Sequence, residues 1–257
     1  DFASDHLAAL RAAVPRSRLL VYDEDKALVG GVVAYVSRLF ADLTAVRALV
    51  VGATRIGWEV ALGLARRGAC VALDDPGGGD VASVVEALNR LRGESGAPVR
   101  RVKLEPSLLA TTNLLIGAAP FAASVGREIV ELTNPACVCL DVGIGSFTAE
   151  AVAWMTEVGR TLYRVDMRAG LSGEVVTVLE TDEVVRAVMG KSVIAGVEVV
   201  AGGVVGRRGV VIVDSNANPT GVVGVADGKG GLLRGEEEKP YLSDKLAVQE
   251  ALLKRRL

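Results

Sequence analysis

Gly52, Thr54 and Gly57, in the run VGATRIG, are the residues of this 257-residue chain whose types and spacing most directly suggest chemistry. A glycine turn between a strand and a helix aims backbone N–H groups and a helix N-terminus at one spot, where a pyrophosphate is electrostatically favoured. Gly52 suits the tight turn, and Gly57 lets the helix pack close to the sheet. A complete dinucleotide fingerprint has glycine where Thr54 stands. The threonine is small, and its hydroxyl is expected to donate to a phosphate oxygen, with Arg55 adding charge at the rim; Ala53 and Ile56 complete the turn. Asp74 follows 22 residues after Gly52, with Asp75 beside it. An acid there accepts both hydroxyls of an adenosine ribose and repels a 2′-phosphate. No arginine follows to receive such a phosphate, so the expected cofactor is NAD, with NADP the lesser candidate. The alternative is that Asp74 caps a turn before Pro76.

Two further strand ends carry small residues. Gly117, Ala118, Ala119 and Pro120 close the strand NLLIGAAP and are expected to skirt the ribose and nicotinamide. Asp141, Gly143 and Gly145 in LDVGIG are expected on the nicotinamide side, the alternative being ordinary strand-ending turns. Three rival motifs fail. MGKS at 189–192 has valine where a phosphate-binding lysine loop needs its first glycine (Val185), and a helix-like stretch precedes it. DGKGG has no Ser or Thr after Lys229. A methyltransferase would need an acid before its glycines, where Leu49–Val51 are aliphatic. His6 is the only histidine, which argues against both a metal site and histidine acid–base catalysis, and it reads as a surface-helix residue.

The elements that must position these residues alternate. A helix near 5–13, a strand at 18–23, a polar turn and a helix over 29–41 precede the strand Ala48–Val51. After the glycine turn come a helix to about Arg67, a strand at 69–74, the break PGGGD, and the helical VASVVEALNRLR with its three-and-four apolar spacing. Strands are expected at VRRVKLE, at 112–120 and at 136–143, with a helix near 124–131. This order predicts an α/β fold, a Rossmann-type doubly wound parallel sheet with a small N-terminal lobe and a β-rich C-terminal extension. The expected divisions are 1–46, as a lobe or as extra strands of the sheet, 47–164 as the dinucleotide-binding domain, and a valine-rich 165–257. In that last region GEVVTVLE, SVIAGVEVVAGGVVG and RRGVVIVDSN favour strands by composition. ADGKGGLLRGEEEKP reads as a mobile loop and YLSDKLAVQEALLKRRL as a closing helix with its cations near the C-terminus.

Composition limits the rest. Half the residues are hydrophobic, 23% are charged and the net charge is −2, which suits a compact protein and recommends neither nucleic acid nor an anionic membrane as a partner. The longest apolar run, Ser192–Gly206, contains Glu198 and is too short to span a bilayer. The N-terminal segment lacks the order of a signal peptide. Three cysteines do not make a disulfide framework. Cys70, Cys137 and Cys139 are expected to be reduced core residues of a cytoplasmic protein.

Residues 5–145 resemble the methylene-tetrahydromethanopterin and methylene-tetrahydrofolate dehydrogenases, within the wider amino-acid-dehydrogenase-like Rossmann group. LLVYDEDKALVGGVVAYVSRLF is similar to the strand, polar loop and cleft-crossing helix that lead into their cofactor domain. ALVVGATRIGWEVALGLARRGACVALDD is similar to that domain's first strands and phosphate turn. SVVEALNRLRG and TNLLIGAAP follow at fitting distances, and DSNANPTGVVGVAD at 214–227 echoes an Asp-x-Asn-Ala-x-Pro-Pro-like loop. It comes late, with Thr220 where a second proline would stand. The resemblance implies hydride transfer to or from a methylene-bridged pterin or another small substrate. Such chemistry leaves a resonance-stabilised cation and needs no strong base. It makes Lys26 the first candidate for touching substrate and Asp23 the second; exposed charged loop residues of this kind are otherwise simply solvated. Two alternatives stand beside it: an amino- or hydroxy-acid dehydrogenase with Lys26 as acid–base group, and a non-catalytic nucleotide sensor or scaffold. A homo-oligomer acting on a small molecule, with no nucleic-acid or membrane partner, is expected.

Overall fold

A computed structural model describes residues 2–255, with side chains from residue 6 onward. The segment Tyr22–Val175 forms one compact unit, and the segments up to Val21 and from Val176 form a second. Helix α1 (Phe2–Ala13) belongs to the second unit and carries the exposed His6.

The first unit begins with α2 (Glu24–Leu39), followed by β1 (Arg47–Val51), α3 (Arg55–Ala65), β2 (Cys70–Asp74), α4 (Val81–Leu91) and β3 (Val99–Arg101). Then come α5 (Pro106–Thr111), β4 (Leu114–Gly117), α6 (Arg127–Leu132), β5 (Val138–Asp141), α7 (Ala149–Glu157) and β6 (Leu162–Arg164). The six strands are all parallel and lie in the order β3-β2-β1-β4-β5-β6. This is the Rossmann order, in which the crossovers change direction between β1 and β4. Strand β1 shows why the sheet is covered on both sides. Ala48 and Val50 pack into a cluster with Val32, Val36, Val60 and Leu64, whereas Leu49 and Val51 join Leu115, Cys139 and Met155 on the opposite face. Each valine, leucine or methionine side chain so removed from water contributes roughly 1.5–3 kcal/mol.

Residues 18–23 join no sheet among the described residues, so the N-terminal segment adds no strand to the parallel sheet. The helix expected from residue 29 starts at Glu24, because Asp23 caps it: its carboxylate accepts from the N–H groups of Asp25 (3.0 Å) and Lys26 (3.3 Å). GEVVTVLE is helical, part of α8 (Arg168–Glu183), which carries the chain from one unit into the other. Its valines favoured strand by composition, and with no buried residue the helix has no apolar face to mark it; Asp166 accepts the Arg168 N–H at 3.0 Å where the helix begins.

In the second unit a π-helical turn (Val184–Val188) follows α8. Strands β7 (Gly190–Ile194), β8 (Val197–Ala201), β9 (Val211–Val213) and β10 (Val222–Val225) form a four-stranded mixed sheet in the order β10-β9-β8-β7. Strands β7 and β8 make an antiparallel hairpin and β8 pairs parallel with β9. The longest apolar run is therefore a hairpin, and among the described residues no helix is long and apolar enough to cross a membrane. Helix α9 (Leu242–Lys254) packs Val248 and Leu252 onto this sheet. Arg256, the last of the expected closing-helix cations, lies outside the described residues.

Candidate nucleotide site at the strand switch point

The glycine turn leaves β1 at the point where the sheet reverses direction. Gly52 has φ +116°, and a Cβ there would lie 2.7 Å from the Ala119 nitrogen. A Cβ on Gly57 would lie 2.0 Å from the Gly52 carbonyl oxygen. Both glycines are therefore required by backbone contact as well as by conformation. The Gly52 N–H donates to the Asp74 carbonyl at 2.8 Å, tying the turn to the end of β2.

Thr54 sits at the N-cap of α3. Its hydroxyl oxygen accepts from the Gly57 N–H at 3.2 Å, and its proton goes to the Ala118 carbonyl at 2.7 Å. The hydroxyl thus joins the start of α3 to the end of β4, and its proton is not directed at a ligand. The N–H groups of Arg55 and Ile56 are left without an acceptor among the described residues, as the first turn of a helix leaves them. Arg55 does stand at the rim, but its guanidinium pairs with Asp23 (3.2 Å), Asp25 (3.2 Å) and Glu59 (3.0 Å). Three carboxylates around one cation leave no free positive charge for a phosphate.

The two acids after β2 divide their roles. Asp75 accepts from the Gly77 N–H (3.4 Å) and the Gly79 N–H (3.0 Å), fastening the glycine loop. The turn cap is therefore Asp75. The Asp74 carboxyl is only partly exposed, and burial raises its pKa against weaker opposing contributions from the Asp75 N–H and Arg101.

On the far side of the switch point, the segments after β4 and β5 brace each other. Asp141 is buried and accepts from the N–H groups of Gly145 (2.8 Å) and Ser146 (3.4 Å), so it holds its own loop. A Cβ on Gly143 would lie 2.9 Å from the Ala119 backbone nitrogen, which explains the small residues at both strand ends. The Phe121 N–H donates to Ile144 (3.0 Å) and the Ala123 N–H to Gly145 (3.0 Å). Phe121, Ala123 and Ile144 have φ of +56°, +44° and +60°. Left-handed conformations are unfavourable for residues other than glycine, above all for a β-branched isoleucine, and such strain clusters at ligand clamps. Phe121 is 80% exposed and Ile144 41%.

These two segments form one wall of a cavity of about 270 Å³, which Pro120 and Gly143 also line. Ile56, at the start of α3, lines it from the glycine turn. Glu24, Asp25 and Leu28 of α2 form the opposite wall, joined by Val165, Asp166 and Met167 after β6. Helix α2 comes so near the start of α8 that a Cβ on Gly170 would lie 2.0 Å from the Ala27 carbonyl oxygen. All the charged residues of the lining are acids. The Arg168 guanidinium and backbone N–H hold the Asp166 carboxyl down to about 2, so that acid is ionised at neutral pH. Lys26 is exposed and does not line the cavity. Asp23 lies outside the lining as well, occupied with its helix cap and with Arg55. Sequence reasoning missed Glu24, Asp25, Phe121, Ile144 and Asp166. The acids of DEDK were readable as a helix start, whereas the positive φ angles left no compositional trace.

No family model and no curated protein sequence matches this chain. Among solved structures it is similar to D-lactate dehydrogenase from Escherichia coli, with 12% identity and a TM-score of 0.42 over 65% of this chain and 66% of that one. It is similar to shikimate 5-dehydrogenase from Listeria monocytogenes, solved with shikimate and NAD (12% identity, TM-score 0.43, 54% of this chain and 52% of that one). Glutamyl-tRNA reductase from Methanopyrus kandleri is a third (17% identity, TM-score 0.42, 64% and 40%). The chain thus spans less than two thirds of the length of each of these. Strand order and the Gly52 turn carry the fold assignment without them: the first unit has a Rossmann-type α/β fold.

Proposed function

We propose that this protein is an NAD(P)-dependent oxidoreductase that moves a hydride to or from a small or pterin-like substrate. The observation that carries the reading is the Gly52 turn at the switch point: backbone packed too tightly for any Cβ, a helix N-terminus with open N–H groups, and an adjoining apolar cavity. This cradle fits a pyrophosphate held by backbone donors, with Gly52, Ala53, Thr54, Arg55, Ile56 and Gly57 forming the turn. Asp74, whose carboxylate is not used in the loop, would take the adenosine ribose and favour NAD over NADP. Gly117–Pro120, Asp141 and Gly143 would shape the nicotinamide end. A bound nicotinamide supplies or accepts the hydride. The chain's own residues orient the reactants: Phe121 and Ile144 cover the apolar side, while Glu24, Asp25 and Asp166 accept hydrogen bonds from N–H groups of a substrate. Both a reduced pterin and an amino acid present such donors. The same wall therefore supports a second reading, an amino-acid dehydrogenase of the same superfamily. In either case Lys26 and Asp23 act at most from the cavity's edge.

Titration with NADH and NADPH, followed by nicotinamide fluorescence, tests the cofactor. Saturable binding with NADH preferred is expected, and no saturable change with either would end the oxidoreductase reading. A screen of pterins and amino acids with NAD then separates the two substrate classes.

A further inference from the structure

The parallel sheet has a second cavity, of about 280 Å³, at the ends of its strands opposite the glycine turn. Arg47 and Cys70 are register partners at the starts of β1 and β2, and Ala72 is the partner of Arg100 on β3. Period-two alternation puts Arg47, Cys70, Ala72, Arg100 and Val102 on one face. The crossover from β3 to β4 supplies only the six-residue α5 to that face, and its Leu108 lines the cavity's outer side. The sheet face is therefore left open around Cys70 and Arg100, with Ala72 buried at the cavity's floor. This is also why Cys70, expected in the core, is exposed, whereas Cys137 and Cys139 are buried.

The charges here have the opposite sign to those of the nucleotide-side cavity. Arg47 and Arg100 both line the cavity, no acid does, and among the described residues no carboxylate pairs with either guanidinium. Strands about 4.8 Å apart set β1 and β3 roughly 10 Å from one another, and Arg100 is level with Ala72, two residues or about 6.6 Å beyond the level of Arg47 and Cys70, so the two arginines stand at diagonally opposite corners of a ring-sized space. Ala72, Val102 and Leu108 supply apolar wall, and the hydroxyls of Thr111 and Thr112, which also line the cavity, donate to the Leu108 carbonyl.

We propose that this cavity is a binding site for a small carboxylate with an apolar, ring-sized body. The guanidinium groups take the carboxylate through charge-assisted hydrogen bonds, and the ring lies against Ala72, Val102 and Leu108. The site is separate from the nucleotide turn and stands whether or not the oxidoreductase reading holds. Cys70 makes it directly measurable. The thiol-titrating bis(nitrobenzoate) disulfide is itself an aromatic carboxylate. The Cys70 thiolate, its proton lost to solvent, attacks one sulfur of the reagent, the S–S bond breaks, and a nitrothiobenzoate leaves with the bonding pair.

The test uses the native full chain, with the neutral dithiodipyridine as comparison reagent. One equivalent of nitrothiobenzoate released per chain is expected, abolished in Cys70→Ser, with a rate that saturates as the reagent concentration rises. Benzoate should slow the attack of dithiodipyridine about fivefold or more, and benzyl alcohol should not. Arg47→Gln with Arg100→Gln should lower the rate of the anionic reagent relative to the neutral one about tenfold, a change within the range of charge steering. A rate strictly proportional to reagent, absence of benzoate protection, an unreactive Cys70, or an unchanged rate ratio in a double variant with native tryptophan emission would each overturn the proposal.

Discussion

Replacing Thr54 by valine keeps the shape of the side chain and removes the hydroxyl that joins α3 to β4. Two hydrogen bonds go: the cap on the Gly57 N–H (3.2 Å) and the donation to the Ala118 carbonyl (2.7 Å). Loss of an N-cap costs about 0.5–2 kcal/mol. Ala118 is fully buried, so its carbonyl, left without a partner, adds roughly 1–3 kcal/mol. The two terms share one hydroxyl and are not additive, which puts Thr54→Val near a loss of ~2–3 kcal/mol. Thr54→Ser retains both bonds and should stay within about 0.5 kcal/mol of the parent. Thr54→Gly, which completes the fingerprint, opens the carbonyl to water and should lose about 1 kcal/mol. Both tryptophans, Trp58 and Trp154, lie in the Tyr22–Val175 unit, so urea unfolding followed by tryptophan emission reads this unit alone. The expected order of midpoints is parent, serine, glycine, valine, with the urea dependence unchanged. A valine variant as stable as the parent, or a glycine variant more stable than it, would refute the bridging role.

The other predictions concern charges. In Asp74 burial raises the folded pKa above the unfolded value, so this group's contribution falls as pH rises through that window and stays unfavourable above it; Asp74→Asn should stabilise the apo protein at neutral pH, with the gain vanishing below about pH 4, and should weaken NADH binding. For Asp214, burial opposes ionisation but hydrogen bonds from Thr220 and Gly221 outweigh it and hold the pKa at about 2, so its contribution is present above the unfolded value and lost as pH falls through about 2; Asp214→Asn should flatten the acid-side loss of amide-exchange protection in β9 and β10. Arg55→Ala should weaken NADH binding by unmasking its carboxylates, and Asp25→Asn with Glu59→Gln added should restore it; restoration would not occur if Arg55 gripped the phosphates itself. Arg160 donates to the Val130 carbonyl (2.7 Å) and to the Thr133 hydroxyl (3.0 Å) and carbonyl (3.2 Å), so Arg160→Met should cost about 2 kcal/mol in the same tryptophan-monitored melt.

Legibility in the sequence followed how locally each feature is determined. Strand β1, the glycine turn and α3 were readable because burial on both faces demands an unbroken aliphatic run and the turn demands glycine. The start of α2 carried its own signal in Asp23, Glu24 and Asp25, an N-cap followed by acids in the first turn, although the acids resembled a polar loop. Helix α8 was obscured because its apolar residues gather on no single face and none is buried, so there was no helical period to set against a β-branched composition. Cys70 was misjudged for a non-local reason. Strand alternation could place it on a face, but only the brevity of α5, two crossovers later, determined that this face was left open.

The replacement of the middle glycine by threonine has a structural logic that extends to the charge of the site. With Thr54 bonded to Ala118 and Arg55 surrounded by Asp23, Asp25 and Glu59, no side chain of the turn directs free positive charge at the phosphate position. Attraction for an anion there rests on the α3 dipole and its open N–H groups, worth about 0.3–1 kcal/mol per charge at an exposed helix end. The adjoining cavity adds acids and no cations. On the proposed reading such a site would discriminate by backbone fit more than by net charge: a planar ring beside Phe121 and Ile144 would gain apolar contact, whereas Glu24, the cavity acid with no ion-pair partner among the described residues, would repel a second anion. At the opposite end of the sheet Arg47 and Arg100, unpaired among the described residues, would give the proposed site the reverse preference. On the two proposed readings, one parallel sheet would carry ligand sites of opposite lining charge, acids in the cavity beside the glycine turn and arginines in the cavity at the other end of the strands.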